Sequence, residues 1–229
     1  MKETNVVPVF RHEWKHLITL EDLLVLRARL KAVAKADVHT VDGKYHIRSL
    51  YFDNYAGRVL REKLDGISVR EKYRIRYYNG DTSVMFLEKK CKQAGLGYKL
   101  QTRLNTDQAG AIVAGDISWM KNSQNGLITQ FYSAICSQGL RPKTIVDYIR
   151  EPFTYQPGNV RVTLDYDIRT GLSCVDFLNP ECVTIPAGDE IVLEVKWDEF
   201  LPSVIRSAVQ LDHARTTSFS KYQACRRFG

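Results

Sequence analysis

No stretch of the sequence reaches about 18 consecutive apolar residues, the length a membrane-spanning helix needs. The first residues, MKETNVVPVF, have neither the basic start nor the apolar core of a secretory signal, so the expected address is the cytoplasm. The five cysteines, Cys91, Cys136, Cys174, Cys182 and Cys225, form no CxxC pair and are odd in number. That argues against a zinc ribbon and against a complete disulfide framework, and they read as reduced and mostly core. Neither a G-x-x-x-x-G-K-[ST] loop nor a G-x-S-x-G elbow occurs. Any phosphate chemistry must therefore rest on side-chain cations. No repeat, low-complexity tract or Pro/Gly/Ser linker divides the chain, and its 229 residues read as one domain, 1–229, large enough to bury a core.

What is present is an excess of positive charge, +7 from 33 Lys and Arg against 26 Asp and Glu. Such a balance favours an anionic partner: nucleic acid, a membrane surface or a phosphorylated small molecule. Helices are expected over 19–36, where Thr19 and Asp22 form a capping pair ahead of the stripe Leu23, Leu26, Leu30 and Val33. Further helices are expected over 55–64, 106–114 and 126–138, in LPSVIRSAVQL with Pro202 in its first turn, and in the closing SKYQACRRF.

The remaining segments alternate with period two. In REKYRIRYY, Lys72, Arg74, Arg76 and Tyr78 share one strand face and Tyr73, Ile75 and Tyr77 the other. Glu194, Lys196 and Asp198 likewise oppose Leu193, Val195 and Trp197, and Arg161, Thr163, Asp165 and Asp167 oppose Val160, Val162, Leu164 and Tyr166. Glu88, Lys90 and Lys92 fall together, as do Tyr148 and Arg150. One such strand is ordinary for a half-solvated sheet. Five, without local pairing of charges, imply either an open wet face or a cavity for a polyanion, because burying ions repeatedly without a partner costs several kcal/mol each.

Within RHEWKH, HEWKH matches the zinc-protease pattern H-E-x-x-H. That chemistry needs a helix to bring both imidazoles to one metal. Read as a strand, which suits the neighbouring segments better, Arg11, Glu13 and Lys15 share one face and Phe10, His12, Trp14 and His16 the other. A nucleic-acid groove is disfavoured as well. The aromatics lie opposite the cations, and Glu13, Glu88 and Glu194 stand among the cations, where hard oxygen ligands suit Mg or Mn beside phosphate.

The blocks RHEWKH, SLYFDN, REKYRIRYY, FLEKKCK, VDYIREPF, VRVTLDYDIR, IVLEVKWDEFLPSVIR and SFSKYQACR occur in the order and spacing of the VTC domain. The chain therefore resembles, from about Val9 to Arg227, the polyphosphate-polymerase branch of the triphosphate tunnel metalloenzymes, the superfamily that also holds the CYTH phosphatases and cyclases. The resemblance implies an α+β fold: an antiparallel β-barrel-like tunnel with charged inward faces and helices packed outside. It implies transfer of the ATP γ-phosphate to a growing inorganic polyphosphate chain with a divalent metal, Mn or Mg, with ATP and polyphosphate as partners and no nucleic acid.

By position, Lys15, Arg74, Arg76, Lys90, Arg150, Arg161 and Lys221 resemble the catalytic cations of that family. Arg11, Lys63, Arg70, Lys72, Lys99, Tyr148 and Lys196 are the expected substrate-binding residues, and Glu194 with Glu13 the expected metal ligands. The first strand departs from the E-x-E-x-K of the phosphatase and cyclase branch by carrying Arg11, which favours synthesis or binding over hydrolysis. His16 stands where the family usually has Tyr. No SPX domain or membrane helix is expected beside the domain, and oligomeric state is left open.

Overall fold

In a computed structural model, residues 10–93, 96–212 and 215–227 are described. The first element among the described residues is β1 (His12–Ile18), and Thr19 then caps α1 (Leu20–Val33). The Thr19 hydroxyl accepts from the Asp22 N–H at 3.1 Å and the Asp22 carboxylate accepts from the Thr19 N–H at 3.0 Å. The expected helix over 19–36 ends early, because the chain turns extended at Ala34 and pairs Lys35–Ala36 (β2) with a later strand. There follow β3 (Tyr45–Asp53), α2 (Arg58–Leu64), β4 (Arg70–Tyr78), β5 (Asp81–Gln93) and β6 (Leu96–Leu104). After α3 (Thr106–Ala114), capped by Asn105, and α4 (Gly126–Gln138), closed by Gly139 at φ 67°, come β7 (Arg141–Tyr155) and β8 (Val160–Thr170). The last elements are β9 (Ile185–Pro186), β10 (Ile191–Trp197), α5 (Ser203–Ala208), β11 (Arg215–Thr216) and α6 (Lys221–Cys225). Pro202 caps α5 from outside rather than occupying its first turn.

Among the described residues the strands form one antiparallel sheet in the order β11-β1-β10-β8-β7-β3-β4-β5-β6, with β2 and β9 added beside β7 and β8. The sheet curls until β1 meets β6, where the Arg11 N–H donates to the Gly97 carbonyl at 3.1 Å. Curling gives each strand a convex and a concave face, and the period-two pattern decides which side chains go where. On the convex side, α3 and α4 cover β3 to β6, with Phe131 packed against both Phe52 and Tyr73. Helices α1 and α5 cover β7, β8 and β10 through Leu23, Leu26, Leu30 and Ile205. On the concave side α6 enters one end, and Tyr222 stacks on Tyr51 at 5.1 Å and donates to Asp53 at 2.6 Å. The fold is the curled antiparallel tunnel with outer helices that the sequence leads one to expect.

Two further expectations need correction. Asp167 does not continue the polar face of β8: it sits at φ 49° in a bulge, exposed, and the next residue, Ile168, turns into the concave apolar cluster. Nor are the cysteines mostly core, since only Cys91 and Cys225 are buried.

Candidate functional site

HEWKH lies on β1, not on a helix. Four residues along a strand separate His12 from His16 by roughly 13 Å, too far to share one metal. His12 and Trp14 instead pack against Trp197 on the convex side, with Trp14 still 37% exposed. The intervening Glu13 and Lys15 face the concavity.

There, β1 and β10 lie in register, Lys15 opposite Glu194 and Glu13 opposite Lys196. The Lys15 ammonium contacts Glu13 at 2.7 Å and Glu194 at 3.4 Å, and Lys196 contacts Glu194 at 3.1 Å. Lys90 of β5 reaches Glu13 at 3.0 Å from the opposite wall. Next to this group, Arg150 grips Asp165 with both Nε and Nη2 at 2.7 Å and approaches Glu194 at 3.5 Å, while Lys221 from α6 contacts Asp165 at 2.6 Å. A second cluster gathers around Glu88, which is 1% exposed: Arg74 at 2.6 Å, Lys99 at 2.9 Å and Arg76 at 3.9 Å. Tyr148 joins the two. Its hydroxyl accepts from Arg76 at 3.0 Å, and Arg76, Arg150 and Lys221 all lie within 6 Å of its ring centre.

The electrostatics follow from burial opposed by these contacts. Desolvation would raise the Glu13 carboxyl, as would Glu194, but Lys90, Lys15 and Lys196 outweigh both and hold it at about 2. Glu194 is likewise driven well below the usual range, burial being overcome by Lys196, Lys15 and Arg150. Cations in excess of carboxylates move the other way. Burial, with Lys15 adding repulsion, depresses the Lys90 ammonium. Lys72, 5.8 Å from the Tyr51 ring centre and in no ion pair among the described residues, is brought down chiefly by burial to about 8.

The remaining expected residues divide by position. Lys63 of α2, hydrogen-bonded to the Ser218 hydroxyl at 2.8 Å, is near enough to Arg70, Lys92 and Lys15 for their charges to depress it, after burial. Arg70 donates to the Glu62 carbonyl. Arg11 is not drawn into the cluster, for its guanidinium pairs with Asp198 at 2.6 Å and with the Asn159 carbonyl. Arg161 turns to Asp37 at 3.4 Å, leaving its buried Nε without a partner among the described residues.

Two site residues escaped sequence reasoning: Asp165, seen only as part of a polar face, and Tyr51, whose hydroxyl accepts from Arg74 at 2.7 Å. Glu88, expected among the cations as a hard oxygen ligand, pairs with Arg74, Arg76 and Lys99.

A family model for the VTC domain matches residues 10–228. The chain belongs to the VTC-domain family. A comparison with curated proteins finds no match. Among solved structures, a provisionally assigned adenylate cyclase from Bacillus halodurans is similar over 82% of this chain and 81% of its own, with 14% identity and a TM-score of 0.51. The PH1819 protein of Pyrococcus horikoshii OT3 is matched over 92% of this chain and 94% of that one, at 11% identity and a TM-score of 0.46. The first likeness bears on the fold alone and agrees with the curled sheet. No helix of this VTC domain, among the described residues, is long and apolar enough to cross a membrane.

As a metal donor set, Glu13 and Glu194 supply two hard carboxylates bridged by the same lysines. No group of three or more His, Cys, Asp or Glu side chains among the described residues is placed to enclose an ion. The two carboxylates that are present suit a hard cation such as Mg or Mn, which binds through one or two carboxylates plus substrate phosphates and water.

Proposed function

We propose that this VTC-domain protein transfers the γ-phosphate of ATP to a growing inorganic polyphosphate chain bound in its concave face. One observation carries the reading. Lys15, Arg74, Arg76, Lys90, Lys99, Arg150, Lys196 and Lys221 converge on only four carboxylates, Glu13, Glu88, Asp165 and Glu194, inside a partly desolvated fold. Burial of unmatched cations is costly, and a linear polyanion removes the cost along the whole row.

Phosphoryl transfer asks a protein mainly for alignment and charge neutralisation. Arg74, Arg76 and Arg150 offer planar forks that suit phosphate oxygens, and the carboxylates hold these side chains extended before any anion arrives. Lys15, Lys90 and Lys221 supply compact charge for the bridging and terminal oxygens. Glu13 and Glu194 would hold a divalent metal, which would neutralise phosphate oxygens when bound. Arg161, Lys63, Arg70 and Lys72 would guide the chain, and Arg11, engaged with Asp198, would act at the rim.

The test is to incubate the purified protein with ATP and Mn and resolve the products. Long-chain polyphosphate supports the polymerase. Free phosphate alone would make the protein a hydrolase of the CYTH type, and binding without product would make it a polyphosphate- or nucleotide-binding module.

A further inference from the structure

Behind the tunnel wall, residues 171–182 cross the convex side without forming helix or strand. The segment is nevertheless held firmly. Phe177 is fully buried against Tyr77 at 4.9 Å, and its carbonyl accepts from the Tyr77 hydroxyl at 3.1 Å. Arg48 donates to the carbonyls of Asn179 at 2.8 Å and Cys182 at 3.1 Å, and is itself fixed by both oxygens of Asp147. Within this strap, Cys174 and Cys182 bring their sulfurs to 3.2 Å while remaining free thiols.

We propose that Cys174 and Cys182 form a redox-active dithiol site that takes disulfide oxidants, whether a small-molecule disulfide or a protein disulfide. The strap holds both ends in place, so closing the pair asks for a small approach of two sulfurs rather than a refolding of the chain. Both residues are half-buried at the margin of the core, accessible enough for a reagent yet ordered by the bonds around them. Cys91 and Cys225 are buried, and Cys136 is exposed but has no sulfur facing it among the described residues.

The order of events follows from the local environment. Burial, then the facing Cys174 sulfur, pushes the Cys182 thiol up to about 11. Cys182 therefore keeps its proton while Cys174 attacks. The Cys174 thiolate bonds to one sulfur of the oxidant and expels the other as a thiolate. Cys182 then loses its proton and attacks the Cys174 sulfur, expelling the second oxidant thiolate. In sum two protons leave the protein and two electrons reduce one oxidant disulfide to two thiols. The new bond fastens the strap behind β3 and β7, whose concave faces carry Tyr51, Tyr148 and Arg150.

The experiment exposes the full chain to glutathione disulfide, then counts thiols after denaturation and maps the peptides. The expected result is loss of two of the five thiols, loss of two hydrogens in mass, and a Cys174–Cys182 linked peptide. The melting temperature should rise by several degrees and return to its starting value with dithiothreitol. Cys174→Ser and Cys182→Ser should each show no such rise. Five thiols remaining, or glutathione attached at Cys136 alone, would overturn the proposal, and the wild-type count decides it even if a variant does not fold.

Discussion

Lys90 and Glu13 come from strands near the two ends of the curled sheet and meet across it at 3.0 Å. The contact ties β5 to β1 beside the Arg11–Gly97 backbone bridge, which links β1 to β6. Because Glu13 is held at about 2 against an ordinary 4.5, its contribution to stability is present above pH 4.5 and is lost as the pH falls toward 2. Urea midpoints of wild type and Glu13→Gln should therefore differ most at neutral pH and converge near pH 2. A constant difference across that range would dissociate Glu13 from the acid response.

Glu194 is 5% exposed and touches Lys15, Lys196 and Arg150. Glu194→Gln keeps the shape and removes the charge. On the proposed function, metal-dependent turnover should fall by about two to three orders of magnitude, the scale of losing one well-placed electrostatic group. Polyphosphate affinity, measured by calorimetry without metal, should stay level or improve, since a competing anion has gone. Unchanged turnover would remove Glu194 from the metal role.

The clearest part of the site in the sequence was the row Lys72, Arg74, Arg76, because polar and apolar residues alternate there without interruption from Lys72 to Tyr77. Tyr51 was obscured by its own surroundings: in SLYFDN the neighbours Leu50 and Phe52 are also apolar and buried, so period two gives no contrast between faces. The bulge at Asp167 was equally hidden, since Asp tolerates positive φ without demanding it. Arg11 and Arg161 lie at the expected register of their strands, but their partners, Asp198 and Asp37, lie beyond strand ends where periodicity says nothing. Register was thus legible wherever one face is continuously apolar, whereas choice of ion-pair partner depends on loops.

Arg74, half-buried, and Glu88, buried, form an ion pair at 2.6 Å, directly opposite one another on β4 and β5. Removing one member should cost more than removing both, because the survivor is left charged in a dry setting. Arg74→Met should lower unfolding free energy by about 3–5 kcal/mol, and the double change Arg74→Met with Glu88→Leu should recover most of it. Chemical denaturation of the four proteins closes the cycle, with Lys99 as the reason the recovery falls short of complete.

Tyr51 supplies a spectroscopic reading of the same charges. Burial by itself would raise its phenol, yet Arg74, Lys72 and Arg76 overcome burial and bring it to about 8. Absorbance titration of the folded protein should therefore show one phenolate forming near pH 8, absent from Tyr51→Phe. A bound polyphosphate would cancel those cations, so its addition should move the transition upward and make binding weaken as the pH passes 8, where phenolate and ligand compete. The sign is fixed by charge: an anionic ligand in contact with Arg74 and Lys72 cannot lower the pKa of a neighbouring acid. A transition that shifts down, or does not shift while calorimetry reports saturation, would place the polyanion away from the β4 cations.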